Sequence, residues 1–238
     1  MLNAFLLMLG FFTRIPVPQV KYSDELYAKG MWLLPFVGAA TGSLLWCCSQ
    51  LNRLLPMAVV AVLAFILYLL ITGGIHMDGL GDSCDALFSG RDRDKMLEIM
   101  KDSRSGSFGV LGLIAASAAL IVLLRYAPRP AFLLFPIIGK CTPAIAAVCS
   151  PYIRAKGMAE VFCKNAKPPL VAASCAIALA ACAYFGLKFV VAGLAAFAAC
   201  ALLTLRVKHV LGGITGDILG LACEVSQLVF LLVCVFPF

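Results

Sequence analysis

The chain has 238 residues, of which 63% are apolar and 13% are charged, and its formal net charge is +7. Soluble domains contain close to half apolar and a quarter charged residues, so this composition excludes an ordinary water-soluble domain. Membrane topology and anionic lipid account for the positive charge, and no nucleic-acid partner is expected.

The first apolar segment, residues 1–12, is predicted to form a short helix that lies at the membrane interface or is tucked into the bundle. It lacks the basic leading region and the cleavage site of a signal peptide. Seven mostly apolar segments follow, each close to the roughly 20 residues that a helical crossing needs. In chain order they are 31–52, 54–77, 105–124, 131–150, 168–187, 189–205 and 218–238. We therefore predict an all-α fold, a polytopic integral membrane helix bundle, with residues 1–238 as a single domain.

Basic residues are concentrated in alternate loops. Fourteen Lys and Arg residues lie in one set, 14–30, 78–104, 151–168 and 206–217. Four lie in the other set, 52–56, 125–130 and 186–188. Because Lys and Arg collect in cytoplasmic loops, we expect the N-terminus and the first set in the cytoplasm and the C-terminus outside.

Seven of the twelve acidic residues fall within residues 78–102. Asp78, Asp82 and Asp85 are spaced i, i+4 and i+7, which aligns them on one face of a helix. Carboxylates so close repel each other, and a hard divalent cation such as Mg²⁺ would remove the repulsion. The alternative is a solvated loop of mixed charge. Farther along the same loop, Arg104 offers a planar donor group that suits phosphate oxygens.

A second group of polar residues precedes the last crossing, in the segment 212–217. Gly212 and Gly213 lie before a helix N-terminus, where exposed N–H groups can hold a phosphate, and Asp217 could bind a metal. The alternative is simple helix capping by Thr215 or Asp217.

Two ionisable residues interrupt the crossings, Lys140 and Glu224. Such groups usually face the interior of a bundle and have partners there, so the alternative to a functional role is a structural ion pair. The 11 cysteines include no C-x-x-C pair, and neither a zinc site nor a disulfide framework is expected.

Four motifs resemble the cobalamin synthase family, also called adenosylcobinamide-GDP ribazoletransferase. They are Thr72-Gly73-Gly74-Ile75-His76-Met77-Asp78-Gly79-Leu80-Gly81-Asp82-Ser83-Cys84-Asp85, the segment 12–18, the segment 96–104 with Gly106 and Gly109, and the segment 212–217. Tyr152, Arg154 and Gly157 also fit the family. The motifs occur in the family's order over nearly the whole chain. Ala86, Gly81 and Lys140 depart from the family's common residues.

The resemblance implies the final assembly of the cobalamin nucleotide loop. In that reaction α-ribazole, or its 5′-phosphate, attacks adenosylcobinamide-GDP through the ribazole 5′-hydroxyl. GMP is released, and adenosylcobalamin or its 5′-phosphate is formed. The implied cofactor is Mg²⁺, and the implied location is the bacterial cytoplasmic (inner) membrane, with catalytic loops around 72–109, 151–168 and 206–217. Self-association and association with other enzymes of cobalamin biosynthesis stay open.

The resemblance also assigns roles to single residues. Asp78, Asp82, Asp85 and Asp217 are the expected metal ligands, and His76, Asp82 and Asp217 are the expected catalytic residues. His76 would be the general base, with a histidine hydrogen-bonded to backbone as the alternative. The expected substrate contacts are Arg14, Arg104, Lys140, Arg154, Gly212, Gly213 and Thr215. Asp78 and Asp217 are expected to converge around one pyrophosphate.

Two other functional classes remain alternatives. A membrane transferase of the CDP-alcohol phosphotransferase or prenyltransferase kind would also place spaced Asp residues and Mg²⁺ at a membrane edge, but its motifs are absent. A transporter would be expected to show internal repeats and broken helices around charges at the membrane midplane.

Overall fold

The computed structural model describes residues 1–154 and 158–236, so Gly157 and the predicted terminus at Phe238 lie outside the described residues. Twelve α-helices form in these ranges, and no β-strand is found there. Their bounds are α1 Leu2–Phe12, α2 Asp24–Gly30, α3 Leu34–Ser49, α4 Met57–Thr72, α5 Ile75–Leu87, α6 Arg93–Ile99, α7 Ser107–Tyr126, α8 Arg129–Cys149, α9 Met158–Asn165, α10 Pro168–Phe185, α11 Leu187–Leu211 and α12 Gly216–Val235.

Among the described residues, six helical spans are long and apolar enough to cross a membrane, and α4 with α5 makes up to seven. The prediction of an all-α membrane bundle is confirmed. Five of the six spans are α7, α8, α10, α11 and α12, and the sixth is Asp24–Arg53 around α3.

The second predicted crossing, 54–77, ends earlier than the sequence suggested. Helix α4 stops at Thr72 because Gly73 and Gly74 both adopt the left-handed conformation, with φ of 64° and 68°. The chain bends by 93° there before α5 begins. We treat α4 as the crossing and α5, which carries the acidic motif, as a helix at the end of the bundle outside the spanning segments.

Helices α8 and α12 form the centre of the bundle, whereas α7 and α10 lie at its periphery. Small residues let α3 approach α8 closely: a Cβ at Gly38 or Gly42 would overlap the backbone carbonyl oxygen of Pro136 or Leu133. Such contacts are typical of helix packing in membranes, where small residues allow backbones to come together.

Pro143 lies inside α8, where it cannot donate the usual hydrogen bond to the carbonyl of Gly139. Two side chains donate to that oxygen instead, the Thr142 hydroxyl at 2.8 Å and the Cys223 thiol at 3.2 Å. The proline is therefore accommodated without an unpaired carbonyl in the membrane interior.

Contacts between loops define two ends of the bundle. At one end, which we call the site end, the Arg14 N–H donates to the Ile71 carbonyl at 2.6 Å and the Ile214 N–H donates to the Pro151 carbonyl at 2.9 Å. At the other end, Arg129 donates to Asn52 at 2.8 Å. These contacts agree with the two alternating sets of loops in the sequence.

Candidate active site

Helices α5 and α12 pack backbone to backbone at the site end. A Cβ on Gly79 would lie 2.9 Å from the Asp217 Cα, and one on Gly220 would lie 2.8 Å from the His76 carbonyl oxygen. Only glycine allows such an approach. As a result, Asp78 and Asp217, which are 139 residues apart in sequence, lie beside one contact between helices, as the sequence analysis predicted.

The carboxylates of Asp78 and Asp82 have no hydrogen-bond donor among the described residues. Asp78 is exposed and Asp82 is half-buried. Burial, followed by the negative charges of Asp78, Asp217 and Asp85, raises the pKa of Asp82 to about 6. Among the described residues, the positive charge of Arg154 opposes this rise. The negative charges of this cluster of aspartates are therefore incompletely neutralised, and a bound cation would reduce their mutual repulsion.

Asp85 has a different environment from the other two. Its carboxylate accepts the backbone N–H of Gly106 at 2.7 Å and that of Gly109 at 2.8 Å. A Cβ at either glycine would overlap the carboxylate. Asp85 thus caps the N-terminus of α7, a role that the sequence analysis missed although it had noted both glycines.

Asp217 is held at the start of α12 by two partners. Arg154 forms an ion pair with it at 2.7 Å, and the Thr215 hydroxyl lies 3.3 Å from it. Arg154 also donates to the Met100 carbonyl at 3.2 Å, which ties α6 to the site. The Arg154 Nε is buried and has no hydrogen-bond partner among the described residues. Arg154 therefore has donor capacity left for a ligand.

The glycines before α12 have structural roles: Gly212 ends α11, and Gly213 packs against the backbone at Pro151. Gly212 adopts φ of 78° to end α11, and its N–H donates to the Lys208 carbonyl at 2.8 Å. A Cβ on Gly213 would lie 2.5 Å from the Pro151 carbonyl oxygen. The Gly212 N–H is thus already bonded in this structure, and phosphate binding by the Gly212-Gly213 backbone stays a prediction.

Thr215 is fully buried, and its hydroxyl accepts the N–H of Ile218 at 3.4 Å. This is the capping alternative of the sequence analysis. The predicted substrate contact through Thr215 is not supported, because the side chain has no exposed surface.

Lys140 and Glu224 lie inside the bundle but do not form the structural ion pair that was the alternative to function. Glu224 accepts the Tyr68 hydroxyl at 2.6 Å, and Gln227 donates to the same hydroxyl at 2.9 Å. Lys140 is 1% exposed, and its Nζ lies 5.4 Å from the centre of the Phe12 ring. In the part of the chain that the structure describes, this Nζ has no hydrogen-bond partner. The predicted contact of Lys140 with phosphate would require a path to a buried amine.

His76 lies in the first turn of α5 and is buried, and its Nε2 has no hydrogen-bond partner within residues 1–154 and 158–236. The alternative of a backbone-bonded histidine thus does not hold for that nitrogen. Burial, with a smaller contribution from the charge of Lys140, lowers the pKa of His76 well below its usual value. The imidazole is therefore neutral near pH 7 and has one nitrogen able to accept a proton.

A cavity of about 280 Å³ opens between α1, α5, α9 and α12. Its wall is largely aromatic and apolar, and its polar lining residues come mainly from the contact of α5 with α12. The residues that line it are Phe11, Phe12, Ile75, His76, Asp78, Pro143, Tyr152, Arg154, Ala159, Phe162, Gly216, Asp217 and Leu219.

A more open groove of about 640 Å³ lies on the other side of Asp78. Arg14, Gly73 and Gly74 line it, together with residues of α4, α5 and α7. Asp78 lines both spaces and stands where they meet.

The predicted arginine contacts have different positions. Arg14 is exposed and lines the open groove, where its side chain lies against Gly73. Arg104 is also exposed but forms a short ion pair with Asp102 at 2.7 Å. Of the two, Arg14 is placed to meet a ligand in the groove.

No group of three His, Cys, Asp or Glu side chains within residues 1–154 and 158–236 lies close enough to hold a metal ion. Mg²⁺, however, is usually bound by one or two carboxylates and completes its shell with water and substrate phosphates. Asp78 and Asp82, which have no competing hydrogen bonds, fit that requirement. Asp85, which caps α7, fits it less well.

Comparison with known proteins places these motifs in a wider context. The profile of a family described as cobalamin-5-phosphate synthase matches residues 4–235. A protein of Alkaliphilus oremlandii named adenosylcobinamide-GDP ribazoletransferase is 36% identical over 97% of this chain and 96% of its own length. A protein of the same name from Acetivibrio thermocellus is 37% identical over 97% of this chain and 96% of its own length. Another, from Clostridium botulinum, is 35% identical over 98% of this chain and 97% of its own length. No solved structure matches.

Proposed function

The chain belongs to the cobalamin-5-phosphate synthase family, and we propose that it joins adenosylcobinamide-GDP to α-ribazole or its 5′-phosphate. The products are adenosylcobalamin or its 5′-phosphate and GMP. The structural observation that carries the proposal is the contact of α5 with α12. It brings the motifs around Asp78 and Asp217 together beside Arg154 and two ligand-sized spaces.

The attacking group is a ribose hydroxyl other than the 5′-hydroxyl. When the substrate carries a 5′-phosphate and the product keeps it, the 5′-oxygen is already esterified and cannot attack. The sequence-based expectation of a 5′-hydroxyl nucleophile is therefore wrong on chemical grounds. A new phosphorus–oxygen bond forms to the ribose, and the bond between phosphorus and the GMP oxygen breaks.

We assign His76 as the acceptor of the proton from that hydroxyl. Its imidazole is neutral, and the unpartnered Nε2 belongs to a residue that lines the cavity. A neutral imidazole in hydrogen-bond reach of a hydroxyl is the usual general base. Asp78 and Asp217 also line the cavity, and we assign them to orienting the ribose.

Two arginines are assigned to the pyrophosphate. Arg154 lines the cavity, and Arg14 lines the groove on the other side of Asp78. Arginine donates to phosphate oxygens in a planar geometry and keeps its charge at all relevant pH values. Charge that develops on the leaving GMP would be stabilised from both sides.

We propose Asp78 and Asp82 as the ligands of Mg²⁺. When bound, the ion would supply positive charge to the phosphoryl oxygens, which gain negative charge during transfer. The support comes from the two carboxylates that lack donors and from the raised pKa of Asp82. Asp217 is already paired with Arg154 and is assigned to positioning.

The site end is proposed to face the cytoplasm of a bacterium, with the chain crossing the inner membrane several times. The support is the excess of Lys and Arg in the loops at this end. Both substrates carry phosphate or ribose groups and would reach the site from the aqueous side.

The test is a reaction of the purified chain in lipid nanodiscs with adenosylcobinamide-GDP, α-ribazole and Mg²⁺. We expect GMP and a corrinoid product whose mass equals that of the two substrates together minus the mass of GMP, measured by chromatography and mass spectrometry. Folded protein that releases no GMP with either form of ribazole would contradict the proposal. Release of CMP from a CDP-alcohol would favour the alternative membrane transferase.

A further inference from the structure

The cavity between α1, α5, α9 and α12 has two chemically different parts. Aromatic side chains from α1 and α9 form one wall: Phe11 and Phe12 contact each other at 4.9 Å between ring centres, and Phe12 contacts Phe162 at 5.8 Å. The other part carries His76 and Asp78 from α5 and Asp217 from α12. Such a space suits a ligand with a flat aromatic portion and a hydroxyl-bearing portion.

The size of the cavity limits its occupant. About 280 Å³ lies near the lower end of ligand pockets, which range over roughly 300–1,000 Å³. A nucleoside is of this scale, whereas a corrin macrocycle with its side chains is far larger. The groove of about 640 Å³ is the more open of the two spaces and also borders Asp78.

We propose, on the basis of the function given above, that this cavity is the ribazole subsite, with the aromatic base against Phe12 and Phe162 and the ribose toward Asp78 and Asp217. The corrinoid pyrophosphate then approaches through the groove lined by Arg14. Asp78, which lines both spaces, marks the point where the ribose and the pyrophosphate meet.

The guanosine of the other substrate is the competing occupant, and its chemistry fits less well. Guanine has several edge donors and acceptors, and each would lose free energy if buried unpaired against an apolar wall. The base of ribazole is a fused bicyclic ring with one free ring nitrogen, so the wall of phenylalanine rings costs it little. The aromatic wall therefore selects the ribazole over the guanosine.

Two variants test the subsite by steric and aromatic changes, and a third serves as control. Ala159→Phe fills the cavity from α9, and Phe162→Leu removes one aromatic wall at nearly constant volume. Phe108→Leu makes the same chemical change at a residue of α7 that is 45% exposed and outside the cavity. Folding is checked by size-exclusion chromatography in nanodiscs.

We expect Phe162→Leu to raise the KM for α-ribazole by about two- to tenfold, the range of one aromatic contact, and Ala159→Phe to raise it further. The KM for adenosylcobinamide-GDP should stay within twofold, and Phe108→Leu should match the parent chain in both. If Ala159→Phe does not fold, Phe162→Leu alone decides. A raised KM for adenosylcobinamide-GDP with an unchanged KM for α-ribazole would overturn the assignment.

Equilibrium binding of α-ribazole to the chain in nanodiscs, without the corrinoid, separates this inference from the proposed reaction. Binding that is weakened by Phe162→Leu but is accompanied by no GMP release on adding the second substrate would support the subsite and refute the reaction. GMP release with α-ribazole binding unaffected by Phe162→Leu would refute the subsite alone. The subsite would also be refuted if GMP displaced α-ribazole and if Phe162→Leu weakened the binding of GMP and of α-ribazole equally.

Discussion

Replacing Asp85 by alanine should destabilise the fold, because this carboxylate caps α7. It accepts two backbone N–H groups at 2.7 and 2.8 Å. A hydrogen bond to a charged group contributes about 1.5–3 kcal/mol. Since Asp85 is half-buried and water can replace part of the interaction, we expect a loss of about 3 kcal/mol for the pair.

The expected change is large enough to measure by thermal unfolding in detergent. For a chain of this length, 1 kcal/mol corresponds to about 2–4 °C, so Asp85→Ala should lower the Tm by about 6–12 °C. Asp85→Asn keeps one acceptor oxygen and should lose about half as much. Amide hydrogen exchange at residues 106–110 should rise in both variants.

The matched control is Asp82→Ala, which removes a carboxylate from the same helix but no hydrogen bond seen in the structure. It should leave the Tm of the metal-free protein unchanged or raise it, since it relieves repulsion among like charges. If Asp85→Ala melts like the parent chain while Mg²⁺ activation is lost, Asp85 is a metal ligand and the capping argument is wrong.

Three further predictions follow from the site and the bundle. Asp82→Asn should lower turnover by at least about 100-fold in a folded protein and alter the Mg²⁺ dependence, and an active variant with unchanged dependence would refute the metal assignment. Gly220→Ala should destabilise the protein by about 1–3 kcal/mol, because its Cβ would meet the backbone of α5 at 2.8 Å. The control Gly216→Ala, whose Cβ would have its nearest neighbour at 3.4 Å, should not destabilise it. Equal melting temperatures of the two variants would contradict this prediction. In a cysteine-free background, Leu54→Cys should react with an impermeant thiol reagent in intact spheroplasts and Arg91→Cys only after permeabilisation, and the reverse pattern would invert the proposed orientation.

Much of the candidate site was accessible from the sequence because its residues occur in short local motifs. The spacing of Asp78, Asp82 and Asp85 placed all three on one helix, and the structure shows that helix as α5. Asp217 could be paired with them only by arguing that both motifs lie at the same membrane edge. The physical means of that pairing, the glycine contact between α5 and α12, could not be read from either motif alone.

Sequence reasoning was incomplete where a residue's role depends on distant partners. The glycines of the 212–217 segment resemble a phosphate-binding turn, but the Gly212 N–H is bonded within α11 and Gly213 lies against the chain at Pro151. Asp85 resembled a third metal ligand because of its spacing. Its hydrogen bond to the N-terminus of α7 joins residues that are 21 positions apart in sequence, and helical periodicity could not reveal it.

The sequence by itself determined the fold class, the apolar segments that form the six or seven candidate spans, and the distribution of basic loops. These properties follow from the cost of leaving polar backbone and charge in lipid, which acts on each segment separately. The tertiary structure decided which carboxylates lack partners, where the chain turns after Thr72, and which aromatic rings enclose a cavity. Those features depend on the packing of helices that are far apart in sequence. The side-chain contacts that determine them form only after the helix backbones have packed against each other.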